Sequence, residues 1–392
     1  MTDTHDELAD LIGAEGRAAI AVARDFARSV VAPHAAQWQN QRHYPLDAIR
    51  QACRAGLAEI ELAKAHGGRE LGFATKLRAF EAIAAVDFAF AFALINQHNA
   101  TMRIARDMAG RPGIEALTAA MRRGEKIGCT ALTEPGAGSD FAAIRTTATK
   151  DGDGWVLNGA KAWITNAAVC DVAVCYAQTE PGAGWRGIAA FLIHADRPGF
   201  IREQPFDIAG GMAIGVGGFR LENYRAQAHE LMQPPGAGFK SAMTGINGAR
   251  TYVAGMACAM LASGLDIAAR YGAQRDLFGK KLIEHQGQRW KLADIATELE
   301  AARLLADRAA RAVHLNKDAM LAAAYAKKFA IEAAQRGLAA CIQLMGANGL
   351  RNEHPLGRHL ANAKLAAYTD GSTEIQNERI AQAVTERVRT DG

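Results

Sequence analysis

The 392-residue sequence predicts a mainly α-helical protein in which a small β domain separates two helical domains. Residues 8–123 are rich in alanine and arginine and carry a helical pattern of apolar positions. Near Gly124 the composition shifts to threonine, glycine and alternating apolar residues, which is typical of strands. Helical patterns resume after Pro234-Pro235-Gly-Ala-Gly238. We therefore expect three domains, with these boundaries: 1–124, 125–233 and 234–392.

The composition is that of an ordinary globular protein, with 49% hydrophobic and 22% charged residues. No run approaches the length needed to span a bilayer. The acidic start, Met1–Glu7, lacks the basic and apolar regions of a signal peptide. A net charge of +4 is too small to indicate nucleic-acid binding, although it fits a polyanionic small ligand. We expect no nucleic-acid partner and no membrane partner.

The cysteines and histidines are scattered along the chain. The six cysteines form no CxxC pair, which indicates reduced thiols and a cytoplasmic protein. The eleven histidines show no HExxH or comparable spacing. We therefore expect no metal site.

Helix signals are clearest in two segments of the N-terminal part. Gly56 follows the Pro45–Ala55 segment as a helix stop. Residues Leu77–His98 predict one long buried helix, because their phenylalanines cover more than one face.

The middle segment carries strand and turn signals. Asp151-Gly-Asp-Gly154 predicts a hairpin turn before a strand that begins at Trp155. Val172–Tyr176 and Gly187–His194 predict short strands, the second buried on both faces. The glycine-rich segment Asp207–Leu221 favours no one element.

The C-terminal part predicts packed helices. Apolar residues from Leu292 to Val313 repeat at spacings of three and four, which is typical of a bundle seam. Asp307 and Arg311 lie at i,i+4 on the other side of that helix. Further helices are predicted at Asp318–Met345 and Gly371–Val388.

Leu132–Asp140, with the sequence LTEPGAGSD, is the stretch with the most chemical character. Gly136 and Gly138 permit positive φ angles and close backbone approach. Such a turn presents bare N–H groups beside the hydroxyls of Thr133 and Ser139, and these suit a phosphate or the edge of a heteroaromatic ring. Taken alone, the same residues also fit an ordinary glycine and proline loop.

A second stretch, Lys161–Asn166, alternates so that Trp163 and Thr165 share one face of a predicted strand. An indole beside a hydroxyl can cover a planar cofactor and hydrogen-bond its edge. Without the first stretch, Trp163 would be interpreted as a core residue. Together the two stretches resemble the flavin-binding region of the acyl-CoA dehydrogenase family, whose hallmarks TEPGAGSD and WITN are matched letter for letter.

The resemblance covers nearly the whole chain, because four further signatures of the family follow in order. They are RDLFG at 275–279, EHQ at 284–286, QLMGANG at 343–349 and DGSTEIQ at 370–376. The implied fold is acyl-CoA dehydrogenase-like: mainly α, with an N-terminal helical domain, a middle β-barrel domain and a C-terminal four-helix bundle.

The resemblance implies FAD between the β domain and the bundle, with the adenine and pyrophosphate held from a neighbouring subunit. An arginine suits the pyrophosphate, since guanidinium–phosphate pairing is bidentate and charge-assisted. The residues implied around the isoalloxazine are Leu132, Thr133, Trp163 and Thr165, and Ser139 is implied at or near the cofactor. Those implied around the rest of FAD are Arg275, Phe278, Gln286, Gln343, Gly346, Ala347, Ser372, Thr373 and Glu374.

The implied reaction is α,β-desaturation of an acyl thioester, in which a carboxylate takes the α-proton and flavin N5 takes the β-hydride. Where the family has an aromatic residue, Glu and Gly, this chain has Thr369-Asp370-Gly371. Asp370 therefore takes the position of the base, one methylene short. The alternative base position of some members holds Ala249. The resemblance also places Ser139, Asn247, Arg250 and Gly371 at or near the substrate.

Other departures from the family concern the acyl group and the nucleotide. Thr369 in place of an aromatic ring leaves room beside the thioester. Phe90 and Leu94 fall where the family's acyl pocket ends, so a short, branched or cyclic acyl chain is expected; the alternative is that Phe90 packs in the core. Gln382 replaces an arginine of the last helix, which leaves part of the adenine recognition open.

The resemblance also implies partners. We expect a homotetramer, and electron-transferring flavoprotein as the electron acceptor, since the chain carries no second redox centre. Three other functions stay open: a dehydrogenase of a carrier-protein thioester, a catalytically silent flavin-binding relative, and a flavin monooxygenase. The last is disfavoured because such relatives generally dispense with the base.

Overall fold

The computed structural model describes residues 6–390. Most of the acidic start at Met1–Glu7 lies outside the described residues. The described chain begins with six α-helices, and the first continues into a π-helical turn at Ala27–Val31. These helices are α1 (Ala14–Phe26), α2 (Ala35–Asn40), α3 (Leu46–Arg54), α4 (Gly72–Ala84), α5 (Phe88–Asp107) and α6 (Ile114–Arg122).

The middle part folds into one eight-stranded sheet of order β6-β7-β3-β2-β4-β5-β8, with β1 parallel to β4. The predicted hairpin is confirmed by the pairing of Asp151 with Gly154. The ring centroids of Trp155 on β3 and Phe191 on β5 lie 5.5 Å apart although β2 and β4 intervene, so the sheet curls like a barrel. The strands are β1 (Gly128–Ala131), β2 (Thr147–Asp151), β3 (Gly154–Ile164), β4 (Val172–Gln178), β5 (Ile188–His194), β6 (Phe200–Arg202), β7 (Gly217–Ala226) and β8 (Leu231–Gln233).

The C-terminal part is a helical bundle. The helices are α7 (Ala237–Gln274), α8 (Gln286–His314), α9 (Met320–Met345), α10 (Leu356–Ala366) and α11 (Thr373–Thr390). A small hairpin, β9 (Asp276–Leu277) and β10 (Lys280–Lys281), joins α7 to α8. The predicted seam is confirmed, since Ile295, Leu299 and Ala302 of α8 are buried. Helices α7 to α10 form the four-helix core, and α11 packs on α9.

One of the helix predictions needs correction. Leu77–His98 is not one helix, because α4 ends at Ala84 and α5 begins at Phe88. Asp87 has extended backbone angles, and its carboxylate accepts a hydrogen bond from the Phe90 N–H at 2.9 Å, which starts a new helix.

Helix α7 is long and apolar enough to cross a bilayer by length and composition alone. However, 67% of its most apolar 18-residue segment is buried inside the protein.

Arg78 on α4 joins the N-terminal domain to the bundle. Its guanidinium lies 2.6 Å from Asp6, 2.9 Å from Glu81 and 2.8 Å from Asp307 of α8. Asp307 therefore pairs with Arg78 of α4, whereas Arg311 of α8 binds Asp10. Burial raises the pKa of Glu81 and of Asp307, while Arg78 opposes that rise. Arg78 thus gives the two carboxylates their hydrogen-bonded compensation, and the charge of Arg303 acts in the same direction.

Replacing Arg78 should destabilise the protein strongly. In Arg78→Met the carboxylates of Glu81 and Asp307 lose the cation that binds them directly, and we expect the free energy of unfolding to fall by about 3 kcal/mol. Chemical denaturation measures this loss. The matched control is Arg28→Met, because the Arg28–Asp25 pair is exposed and its loss should leave the midpoint unchanged. Equal stability of the two variants would show that the Arg78 network is dispensable.

Candidate active site

A six-residue turn between α10 and α11, residues 367–372, carries the predicted base. We call it the Asp370 turn. Its backbone is left-handed at Asp370 (φ 51°) and at Gly371 (φ 90°), a conformation that aspartate tolerates and glycine favours. A Cβ at Gly371 would lie 3.3 Å from an Arg250 nitrogen. The turn therefore needs glycine beside its aspartate.

One oxygen of the Asp370 carboxyl is buried without a direct partner, although the residue as a whole is half-buried. Its Oδ2 atom is shielded from solvent and finds no hydrogen-bond partner within residues 6–390. Burial raises the pKa of Asp370, and the positive charges of Lys327 and Arg250 partly oppose that rise. A carboxylate with a raised pKa and a free oxygen is suited to accept a proton.

Arg250 on α7 is brought to this turn as the sequence predicts. Its side chain is buried, with Nε donating to the Asp370 carbonyl oxygen and Nη1 donating to Asn247 Oδ1, each at 3.2 Å. Burial lowers the pKa of Arg250 to about 10, and the charge of Arg379 acts in the same direction. Asn247, Arg250, Asp370 and Gly371 therefore form one site.

Lys327 on α9 also belongs to this site, and the sequence analysis missed it. Its side chain is completely buried, and Nζ donates to the Gly371 carbonyl oxygen at 2.7 Å and to the Ala367 carbonyl oxygen at 3.4 Å. Burial lowers the pKa of Lys327 to about 8. The available signal was a lysine in the buried alanine stripe of α9, but the adjacent Lys328 makes the pair resemble an exposed charged face.

The three residues predicted for the acyl pocket lie in two different environments, the core and the Asp370 turn. Phe90 is buried between the rings of Phe26 and Trp38, at centroid distances of 6.0 and 5.5 Å. This packing matches the alternative interpretation of Phe90 as a core residue. Leu94 is also fully buried in that core. Thr369 is half-buried, and its hydroxyl donates to the Ala366 carbonyl oxygen at 3.1 Å.

The ion pair between Glu134 and Lys161 connects the first motif, Leu132–Asp140, to the second motif, Lys161–Asn166. Glu134 is buried and accepts from Lys161 Nζ at 2.7 Å and from the N–H of Arg145 at 2.6 Å. Burial opposes its ionisation, but Lys161 holds the pKa of Glu134 below its usual range. Lys161 Nζ also donates to the Leu132 carbonyl oxygen, and the Ala162 N–H to that of Thr133. The two motifs are therefore one structural unit.

Trp163 and Thr165 do not share a strand face as predicted. The register of β3 against β7 shifts between Lys161 and Ile164, Trp163 has a φ of 60°, and the strand ends before Thr165. The Trp163 side chain is 59% exposed, with its ring 4.6 Å from that of Phe206. The indole therefore lies outside the core, with much of its apolar surface exposed.

The polar groups of this unit fit a flavin. The hydroxyls of Thr133 and Thr165 are half-buried, and neither finds a protein partner in the described part of the chain. Ser139 is exposed in the adjoining turn, and Leu132 is half-buried. These residues could hold the isoalloxazine of FAD by its edge and face.

The residues predicted to hold the adenine and pyrophosphate of FAD lie at the C-terminal ends of α7 and α9 and at the start of α8. We call them the Arg275 set: Arg275, Phe278, Gln286, Gln343, Gly346 and Ala347. Asn348 donates to the Tyr271 hydroxyl at 2.9 Å, which fixes the turn at 346–350 near the β9–β10 hairpin. The Phe278 side chain is 91% exposed. The other exposed members are Arg275, Gln286, Gln343, Gly346 and Ala347. Among residues 6–390, no hydrogen bond, ion pair or ring contact joins this set to the first motif within one chain.

The start of α11 holds the last predicted cofactor residues. A hydrogen bond from Ser372 lowers the pKa of Glu374, and Thr373 begins the helix. In the described part of the chain no group of three or more His, Cys, Asp or Glu side chains could hold a metal ion. All six cysteines are buried and free.

Three family models match consecutive parts of the chain. They are the N-terminal, middle and C-terminal domains of acyl-CoA dehydrogenase, at residues 13–109, 129–224 and 236–385. The chain is 34% identical to the human mitochondrial short-chain specific acyl-CoA dehydrogenase over 358 residues, which covers 91% of this chain and 87% of the relative.

Solved structures agree with this assignment. Butyryl-CoA dehydrogenase from Megasphaera elsdenii superposes with a TM-score of 0.89 at 28% identity and covers 95% of this chain and 99% of that one. A structure from work on the electron transferring flavoprotein of Acidaminococcus fermentans gives a TM-score of 0.91 at 28% identity, covering 95% and 98%. The prolyl acyl carrier protein oxidase AnaB gives 0.87 at 25% identity, covering 95% and 99%. The chain belongs to the acyl-CoA dehydrogenase family of oxidoreductases, whose cofactor is FAD.

Proposed function

We propose that this chain desaturates a short acyl-CoA thioester between its α and β carbons, with Asp370 as the base. The observation that carries the proposal is the buried Asp370 Oδ2 atom, which has no hydrogen-bond partner within residues 6–390. FAD, when bound, supplies the acceptor for the β-hydride. The protein's part is to bind the thioester, exclude water and accept the α-proton.

The electrostatics of the site suit proton abstraction at moderate pH. Burial raises the pKa of Asp370, so its ionised form is a stronger base than an exposed aspartate. Below the raised pKa the carboxyl is protonated, and activity should be lost as the pH falls through it. We expect the backbone N–H of Asp370 to donate to the thioester carbonyl, where negative charge develops.

The small side chain of Thr369, next to Asp370, supports a small acyl group as the substrate. Thr369 occupies less volume than the aromatic ring usual in the family, and Asp370 reaches less far than glutamate. A branched or cyclic chain can use the space beside Thr369. The similarity to a dehydrogenase named for short chains supports the same size class.

A carrier-protein thioester is the second candidate substrate. It is favoured by the likeness to the prolyl acyl carrier protein oxidase AnaB, whose fold matches over 95% of this chain. The two substrates differ in what lies outside the pocket, namely an adenine nucleotide or a folded carrier. Comparing flavin reduction by the same acyl group on CoA and on a carrier protein decides between them.

We further propose a cytoplasmic homotetramer that passes its electrons to an electron-transferring flavoprotein. The separation of the Arg275 set from the first motif within one chain supports cross-subunit cofactor binding. The exposed Phe278 and Trp290 side chains support burial between subunits.

The amide variant of Asp370 tests the base. Asp370→Asn keeps the shape of the side chain but cannot accept the α-proton, so anaerobic flavin reduction by a thioester should slow by about 10³-fold while FAD stays bound. Stopped-flow absorbance measures the rate. Asp266→Asn, an exposed aspartate on α7, should keep the wild-type rate. Unchanged reduction in Asp370→Asn would place the base elsewhere.

Asp370→Glu tests the fit between the base and the acyl group. The longer side chain restores the family's reach beside the small Thr369. We expect the ratio of reduction rates to shift from branched or cyclic thioesters towards small straight-chain thioesters, since a displacement of about 1 Å changes the rate strongly. A thioester panel measures the ratio. An unchanged ratio would show that the acid's length does not select the substrate.

The cross-subunit arrangement is tested by oligomeric state and FAD content together. Light scattering of the yellow protein should give four chains of 41.7 kDa each. Arg275→Ala should lose FAD, whereas Arg270→Ala, an exposed arginine paired with Asp266 on the same helix, should retain it. A monomer that keeps its FAD would contradict the arrangement.

A further inference from the structure

We propose that Lys327 is a positioning residue for the base: its buried ammonium holds the backbone of the Asp370 turn and favours the ionised carboxylate without pairing with it. This inference rests on the proposed function of Asp370. It adds a charged residue of α9 to a site that the sequence motifs place on the turn itself and on α7.

The hydrogen bonds of Lys327 span the turn. Nζ donates to the carbonyl oxygen of Ala367, the residue after α10, and to that of Gly371, the residue after the base. Arg250 donates to the carbonyl oxygen of Asp370 itself. Two buried cations thus bind three carbonyls around the left-handed backbone of Asp370, and this fixes the direction of its side chain.

The same arrangement leaves the carboxylate unpaired. No ion pair within 4 Å involves Asp370 in the part of the chain that the structure describes, and its buried Oδ2 has no donor. A direct salt bridge would lower the basicity of the carboxylate and compete with the α-proton. Cations that bind the neighbouring carbonyls stabilise the negative charge from a distance and leave the oxygens free.

The choice of a lysine for this place is itself informative. Burying an ammonium is costly, and neutral donors could satisfy two backbone carbonyls equally well. A purely structural cap would therefore not require a charge here. A charge is needed where it compensates another buried charge, and Asp370 is the carboxyl that favours the protonated form of Lys327 most strongly.

Titratable groups from two helices, α7 and α11, act on this pair. Arg250 and Tyr252 lie on α7, and burial together with the Asp370 charge raises the pKa of Tyr252, so it stays neutral. Glu374 on α11 favours the charged form of Lys327, whereas Arg250 disfavours it. The charge of Lys327 acts on Asp370 more strongly than that of Arg250 does. Removing the Lys327 charge should therefore change mainly the pKa of Asp370.

The test compares Lys327→Gln and Lys327→Met with the wild type in the FAD-bound protein. Infrared spectroscopy follows protonation of the Asp370 carboxyl against pH, with the band assigned by its loss in Asp370→Asn. We expect the midpoint to rise by about one pH unit in both variants, because an opposite charge has been removed. Lys328→Gln, on the next residue of α9 and paired with Glu332, should keep the wild-type midpoint.

Flavin reduction separates the charge from the hydrogen bonds. Its half-maximal pH should move upward by the same amount in both variants. At high pH, Lys327→Gln should remain within a few-fold of the wild-type rate, because an amide still donates to the Gly371 carbonyl oxygen. Lys327→Met lacks any donor and should fall at least about tenfold.

An unchanged midpoint in Lys327→Gln would overturn the proposal. If the two neutral variants fail to fold, Lys327→Arg keeps the charge and should retain the wild-type midpoint; a shifted midpoint there overturns it equally. Failure of the proposed function can be told apart from failure of this inference. If no thioester reduces the flavin of the wild type, the infrared midpoints of Asp370 protonation can still be measured. Those midpoints alone decide whether Lys327 acts on Asp370.

Discussion

The Asp370 carboxyl lies in a buried site whose two cations, Arg250 and Lys327, bind the backbone around it and not its own oxygens. This constraint explains the left-handed turn, the glycine at 371 and the convergence of α7, α9 and α11 on six residues. Burial makes the carboxyl more basic, and the cations limit that rise. The resulting group is ionisable and has a free oxygen.

On the side of the molecule predicted to bind the cofactor, a buried ion pair holds the backbone in place. Glu134 and Lys161 connect the turn at 132–140 to the end of β3, where the register shift turns Trp163 outward. The half-buried hydroxyls of Thr133 and Thr165 and the exposed indole of Trp163 then belong to one structural unit. Neither stretch could hold this conformation alone, since each supplies one partner of the pair.

Much of this could be predicted from the sequence, because local signals decide helices, hairpins and motif loops. The seam on α8 and the hairpin at Asp151–Gly154 are of this kind. Long-range polar pairs are not visible in a pattern. Lys327 looks like a surface charge beside Lys328, and Asp87 is one capping residue inside an apolar run that otherwise favours a continuous helix.

The positive φ of Trp163 could not be predicted from the sequence either, because it depends on a contact between distant parts of the chain. Alternation predicts a regular strand, and only the pairing with β7 shows where the register shifts. Phe90 likewise fits a pocket or a core by composition. Its partners Phe26 and Trp38, which come from distant parts of the chain, place it in the core.

The most direct measurement of the central claim is exchange of the α-hydrogens of a bound thioester that has no β-hydrogen to lose. In D₂O, NMR should show that the FAD-bound wild type catalyses deuterium uptake at the α-carbon, and that Asp370→Asn does not. Exchange at equal rates in both proteins would contradict the account, because another group would then be removing the α-proton.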